Sequence, residues 1–163
     1  DQGFLKESEA LYNRCLDFDG NHVDCHRGLA VLLAQTDRKD KAVALLTNWS
    51  QDRPYLADPH VELARLAQEY GDQQAARLHL EKACSIDKND ARAWKALAAL
   101  NEAEGQTEVA LAQYQRSYLL DNQQTQLPTR IASLNQQVRT GVANSGGAPA
   151  TRVADENLSR GRY

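Results

Sequence analysis

The chain has 163 residues, of which 25% are charged and 42% are hydrophobic, and its net charge is −3. This composition is typical of one globular domain with an apolar core, and neither the net charge nor any basic run favours a nucleic acid or an anionic membrane surface as a partner. Because no apolar run approaches the ~18 residues of a membrane span, we expect no membrane insertion by this segment.

The ends of the chain and its cysteines leave the cellular compartment open. The sequence begins at Asp1 and contains no Met, so we expect a fragment excised from a longer protein, with any targeting segment removed. Three cysteines are an odd number and do not form the framework of a disulfide-rich secreted domain.

Helical patterns separated by short turns run along most of the chain. In chain order, the apolar spacing predicts one helix at 3–19, a helix pair in each of the segments 23–56, 57–90 and 91–124, and a terminal helix at 125–140. Residues 141–163 are rich in Gly, Ala, Ser and Asn, which predicts a flexible tail. One hypothesis docks residues 153–158 in a groove of the same or a neighbouring chain; the alternative is a tail held only by incidental contacts.

The turn positions recur with one fixed period. Steps of 34 residues connect Gly105 to Gly71, Asp37 and Gly3. Small residues keep the same phase, and so do large ones, as in the series Ala110, Ala76, Ala42, Ser8 and the series Tyr114, Leu80, Leu46, Tyr12. We therefore expect Gly105 to end one helix at a positive φ, with small residues where two antiparallel helices cross closely.

The third unit resembles the tetratricopeptide repeat, a 34-residue pattern of Trp-x2-Leu-Gly-x2-Tyr, then Ala-x3-Phe, then Pro. The resemblance is carried by Trp94, Leu97, Ala98, Gly105, Ala110 and Tyr114, and it covers roughly residues 1–140. It implies an all-α, right-handed superhelical solenoid of antiparallel helix pairs, in which residues 3–19 are the second helix of an incomplete unit.

The first complete unit departs from the family pattern. Trp49 stands where later units have the small residues Ala83 and Ser117, and His26 and His60 occupy the place of Trp94. We expect the second helix of that unit to be displaced or shortened by the Trp49 ring.

Cysteine and histidine cluster near the first predicted turn, where Cys15, His22, Cys25 and His26 offer the donor types that zinc prefers. The spacing matches no common zinc pattern, and in the repeat frame Cys15 and His26 fall on packed positions. We interpret the cluster as structural and predict no metal or cofactor; a Cys15–Cys25 disulfide and a zinc site remain alternatives. Cys84 is predicted to be a small core residue.

Motifs for catalysis are missing from the sequence. It has no Gly-rich phosphate loop, nucleophile elbow or His-Glu-x2-His pattern, and its carboxylates fall on solvated helix faces or at unit ends. The prediction is a protein that is not an enzyme.

The resemblance implies instead a concave groove, lined by the first helix of each unit, that binds a peptide or a partner protein. Its expected lining residues are Asp24, Arg27, Val31, Gln35, Asp58, Val61, Arg65, Gln68, Glu69, Arg92, Lys95, Ala99 and Glu102, continued by Gln126, Thr129 and Ser133. The four cations of this set, Arg27, Arg65, Arg92 and Lys95, are expected to form a basic strip for carboxylates. The alternative is a set of ordinary solvated charges, offset by nearby acids.

Two further expectations concern partners. Chaperone-tail binders of this family use a Lys and an Asn four apart on the first helix, an Asn on the next, and a Lys and an Arg four apart on the third. This chain has Arg27 with Val31, then Glu62, then Arg92 with Ala96, so we do not expect a chaperone tail as the ligand. The alternative function is self-assembly through an exposed end of the solenoid, where Leu5, Leu11 and Tyr12 are expected to be partly uncovered.

Overall fold

A computed structural model describes residues 2–145 of the chain, with side chains from 3 to 141. That part contains eight helices and no strand: α1 (Gln2–Phe18), α2 (Val23–Gln35), α3 (Lys39–Asp52), α4 (Asp58–Glu69), α5 (Gln73–Ile86), α6 (Ala91–Ala103), α7 (Thr107–Leu120) and α8 (Leu127–Ser145). Each helix packs on the next, and α2 also contacts α4. Of the predicted tail at 141–163, the structure describes only 141–145, which form the end of α8. Residues 153–158 lie outside the described residues.

The turns inside the three helix pairs share one geometry. Asp37, Gly71 and Gly105 have φ values of 59°, 79° and 78°. After Gly105, the Gln106 N–H donates to the Asn101 carbonyl at 2.8 Å, which closes the end of the helix as in a Schellman motif. This confirms the prediction for Gly105 and explains why the turn position recurs with the repeat period.

Four of the eight helix starts in residues 2–145 are fixed by a side-chain cap or by proline. The Asp72 carboxylate accepts the Ala75 N–H at 2.8 Å, and the Asp90 carboxylate accepts the Arg92 N–H at 2.9 Å. Pro59 stands in the first turn of α4, where its missing N–H leaves no hydrogen bond unmade. These local signals set where α4, α5 and α6 begin.

The core runs along the solenoid as three successive clusters of buried side chains. Alanines at the helix crossings are fully buried, which allows the backbones of a pair to approach closely. Leu46, Leu80 and Tyr114 fill the space beside them, as the repeat phase predicted, and Cys84 is buried in the second cluster. Between α4 and α5 lies the histidine pair, His60 and His79, with Nδ1 atoms 3.3 Å apart.

Trp49 does not shorten its helix, which was one of the two expected effects; displacement of that helix stays a prediction. Helix α3 has 14 residues, as many as α5 and α7, although α2 and α3 pack less extensively than the later pairs. The Trp49 ring is buried and stacks on His26 with ring centroids 3.9 Å apart and planes 8° from parallel. The histidine takes the place that Trp94 has in the third unit, and its smaller ring leaves room for the indole.

Candidate functional site, a charged row across the first helices

Ion pairs connect charged side chains of helices α2, α4, α6 and α8. Arg27 on α2 reaches Glu62 on α4, Arg92 on α6 reaches back to Asp58 on α4, and Arg130 on α8 reaches Glu102 on α6. These ion pairs connect the four helices in succession, and we call the charged side chains that form them the charged row.

Glu62 is the centre of the charged row on α4, and its side chain is only 1% exposed. Its Oε1 accepts from Arg27 Nε at 2.9 Å and from Nη2 at 2.6 Å, while its Oε2 accepts from Arg65 Nε at 3.0 Å. Hydrogen bonding to Glu62 raises the pKa of Arg27 despite partial desolvation. Because both carboxylate oxygens are engaged, the buried charge is compensated by two guanidinium groups.

The other two arginines of the predicted strip also have carboxylate partners. Arg65 forms a further ion pair with Glu69 on its own helix. Arg92 bonds Asp58 at 2.5 Å and Asp90 at 2.9 Å. Burial acts to lower the pKa of Arg92, but hydrogen bonds to Asp90 and Asp58 raise it above its ordinary value.

Hydrogen bonds between polar side chains also connect α6, α7 and α8. Arg130 Nε donates to Glu102 Oε2 at 2.9 Å, and the Tyr114 hydroxyl donates to the same oxygen at 3.1 Å. Burial and the bond to Glu102 raise the pKa of Tyr114 to about 12. These bonds fix the terminal helix against the third unit.

The expectation of a free basic strip therefore needs correction. Arg27, Arg65 and Arg92 are all neutralised within the molecule: Arg27 and Arg92 pair with acids on α4, and Arg65 pairs with two acids on its own helix. Lys95 differs: it is exposed, and within residues 3–141 it has no carboxylate partner within ion-pair distance. Of the remaining predicted residues, Asp24 is paired with Arg27, Gln35 is exposed and Gln68 is half-buried.

Lys95 lines an open pocket of about 660 Å³ between α6, α7 and α8. The three positions expected to continue the groove, Gln126, Thr129 and Ser133, line the same pocket. Tyr114 and Leu127 supply buried rings and methyl groups, so the pocket combines an apolar base with hydroxyl and amide groups and one unpaired cation. Such a lining suits a peptide segment that carries a carboxylate.

Sequence reasoning missed the roles of Glu62 and Arg130. Glu62 was considered only as a mismatch to a chaperone clamp, and Arg130 not at all. The spacing of Glu62, Arg65 and Glu69 by three and four residues was a usable signal for pairing on one helix face. No comparable local signal identifies Arg27 or Arg130, whose partners lie 35 and 28 residues away.

The cysteine and histidine cluster forms a disulfide, which was the lesser alternative. Cys15 in the last turns of α1 is bonded to Cys25 in the first turn of α2, with Cα atoms 6.4 Å apart. His26 has the structural role that was predicted, since its ring stacks on Trp49 and its Nε2 hydrogen-bonds the Gly20 carbonyl at 3.1 Å.

Comparison with solved structures identifies the fold. MamA superposes with a TM-score of 0.61 and 16% identity, covering 89% of this chain and 81% of MamA. The thermophilic tetratricopeptide repeat protein TTC0263 of Thermus thermophilus has a TM-score of 0.64 and 19% identity, covering 83% of this chain and 75% of TTC0263. The first repeat domain of Spaghetti (RPAP3), solved with the HSP90 peptide SRMEEVD, has a TM-score of 0.62 and 14% identity, covering 72% of this chain and 95% of that domain.

These similarities are structural. The sequence matches no protein-family model and no curated protein. The structural neighbours confirm the predicted fold class, an all-α solenoid of tetratricopeptide repeats. In addition, none of the helices in residues 2–145 combines the length and apolarity needed to cross a bilayer.

Proposed function

We propose that this tetratricopeptide repeat solenoid is a non-catalytic scaffold that binds a peptide or partner protein along the concave row of its first helices. The observation that carries the proposal is Lys95, an exposed cation without an ion-pair partner among residues 3–141, in a pocket lined by polar residues of α8. The paired arginines of the charged row set the shape of the groove, and Lys95 supplies the charge that attracts the ligand.

The pocket favours a ligand with a carboxylate, from an acidic side chain or a chain terminus. An ammonium group binds a carboxylate with charge-assisted hydrogen bonds, while Thr129, Ser133 and Gln126 offer hydroxyl and amide partners for a peptide backbone. The RPAP3 domain was solved bound to the HSP90 peptide SRMEEVD, which ends in Glu-Glu-Val-Asp, so a solenoid of this fold binds an acidic peptide in that protein. A chaperone tail is not the ligand we propose, because this chain does not match the clamp residues of chaperone-tail binders.

Short synthetic peptides test this proposal, each made with a free terminal carboxylate and with an amide and measured by fluorescence anisotropy. We expect carboxylate-bearing peptides to bind wild type, and Lys95→Ala to weaken binding about 10- to 100-fold, the equivalent of one charge-assisted bond of about 1.5–3 kcal/mol. Lys82→Ala is the matched control, since Lys82 is an exposed lysine on α5. Equal affinities of wild type and Lys95→Ala, or no peptide binding at all, would overturn the proposal.

A second candidate, self-assembly, is favoured by one surface of α1. Phe4, Leu11 and Phe18 are 72%, 62% and 95% exposed and follow each other at seven-residue intervals. This spacing places them on one side of the helix, while Tyr12 packs against α2 on the other. An apolar stripe of this kind is typical of a helix-packing interface.

Sedimentation equilibrium distinguishes the two candidates. If the stripe is an interface between copies, wild type should dimerise with increasing concentration, and a Phe4→Glu, Leu11→Glu variant should remain monomeric while retaining carboxylate-peptide binding. A wild-type protein that stays monomeric at all accessible concentrations would exclude self-assembly by this chain.

A further inference from the structure

The turn between α1 and α2 brings three metal-ligating side chains together. The ligand atoms of Cys15, His22 and Cys25 all lie within 4.8 Å of one another. Cys25 is buried, Cys15 is half-buried and His22 is exposed, so the cluster opens to solvent on the histidine side. Nothing in the scaffold function uses this arrangement.

The cluster is held by bonds that do not depend on the disulfide. The Asp19 N–H donates to the Cys15 carbonyl at 2.8 Å, and the His22 N–H donates to the Asp19 carbonyl at 3.1 Å. The Asp19 side chain accepts the Asn21 N–H at 3.0 Å, and His22 Nδ1 accepts the Cys25 N–H at 3.3 Å as the N-cap of α2. Since the turn closes on itself in this way, we expect the three side chains to stay together when the disulfide is reduced.

We propose that the reduced form of this cluster binds one thiophilic divalent cation, of which Zn²⁺ is the type, through the two cysteine sulfurs and the His22 imidazole. Thiolate and imidazole are the preferred ligands of Zn²⁺, and three protein ligands leave one position for water or an external ligand. The N-terminus of α2 adds a partial positive charge that favours anionic sulfur at Cys25.

Oxidation and metal binding exclude each other at this site. In the disulfide each sulfur is bonded to the other, and neither is a thiolate donor. A dithiol or phosphine reductant supplies two electrons, two protons complete the two thiols, and the cation then displaces those protons as both Sγ–metal bonds form. Reduction therefore creates the metal site. When the metal is released, a low-molecular-weight disulfide restores the Cys15–Cys25 cross-link by accepting two electrons and two protons and leaving as two thiols.

One further histidine and one further cysteine do not belong to the site. The His26 ring is buried in the core, where it stacks on Trp49 and forms a hydrogen bond with the Gly20 carbonyl. Cys84 lies in the second core cluster, where burial raises its pKa to about 11 and keeps it a thiol. Cys84 is thus a matched control for the effect of removing a cysteine elsewhere.

The experiment titrates Co²⁺, as a spectroscopic probe, into phosphine-reduced protein under anaerobic conditions. We expect one equivalent to bind with a sulfur-to-cobalt charge-transfer band that Zn²⁺ abolishes, and no band for the oxidised protein. The Cys84→Ser variant should behave as wild type, while Cys15→Ser and Cys25→Ser should lose the band.

His22→Asn is the decisive variant, because asparagine preserves the helix cap while removing the imidazole. We expect it to weaken Co²⁺ binding at least about 10-fold, with unchanged helicity by circular dichroism. The proposal is overturned if reduced wild type shows no band, if the band survives in Cys15→Ser or Cys25→Ser, or if His22→Asn binds as tightly as wild type.

Discussion

Removing the Glu62 carboxylate should destabilise the solenoid far more than removing an exposed acid of the charged row. Glu62→Ala deletes three hydrogen bonds from Arg27 and Arg65 and leaves both guanidinium groups without their buried partner. Losing one partner of a buried ion pair costs about 3–5 kcal/mol. The Arg27 and Arg65 side chains are 38% and 29% exposed, so water can rehydrate them. We therefore expect a cost somewhat below that range, about 2–3 kcal/mol.

Urea unfolding followed by circular dichroism measures this change in the free energy of unfolding. Glu62→Gln, which keeps the size of the side chain but not its charge, should cost about 1–2 kcal/mol. The matched control is Glu69→Ala, because Glu69 is exposed on the same helix and also pairs with Arg65; its loss should cost less than about 0.5 kcal/mol.

A double-mutant cycle isolates the pair. We expect Glu62→Ala and Arg27→Ala together to cost less than the sum of the single changes, by a coupling free energy of about 1–2 kcal/mol. The reasoning is refuted if Glu62→Ala is no more destabilising than Glu69→Ala, or if the coupling is zero.

Three other predictions concern stability. Gly105→Ala should lower the free energy of unfolding by about 1 kcal/mol, because φ is 78° at that position. Gly141→Ala is the control and should not destabilise the protein, because Gly141 lies inside α8 and no atom is within 4 Å of the added Cβ. Equal unfolding midpoints of the two variants would contradict this. Leu97→Ala should cost about 2–5 kcal/mol and exposed Leu119→Ala less than about 0.5 kcal/mol by urea unfolding, and equal costs would show that the core register is wrong. Burial lowers the pKa of both members of the histidine pair below their ordinary value, so the unfolded chain binds more protons and stability should fall as pH drops through about 6.5. In thermal melts at successive pH values, His79→Gln should reduce the loss of stability with falling pH. An unchanged pH dependence would show that His79 does not cause this loss.

Much of the fold follows from local sequence signals. The positive φ of Gly105 and the buried alanines at the crossings depend on which residue occupies one position in a repeat of fixed length. Helix bounds follow from caps and turn residues a few positions apart, as with Asp90 and α6. The division into repeats at 23–56, 57–90 and 91–124 remains a prediction. Each of these segments contains one helix pair with the bounds given above.

The site was predicted less completely. The prediction that Arg27, Arg65, Arg92 and Lys95 line a common groove used only the repeat phase. Which of them is free depends on the rotation of neighbouring helices and on long, rotatable side chains. An arginine side chain is long enough to contact several carboxylates, and sequence spacing does not indicate with which of them it pairs.

What the sequence determined by itself is the repeat, the turns and the register of the core, because these depend on backbone conformation and on side-chain size at positions close along the chain. What only the tertiary structure decided is the set of long-range pairings: Glu62 with Arg27, Cys15 with Cys25, and Trp49 with His26. Each pairing requires two helices to be fixed at one separation and angle. That geometry arises from the packing of the whole solenoid, and it is the reason that, within residues 3–141, Lys95 alone among the predicted cations lies unpaired in a pocket.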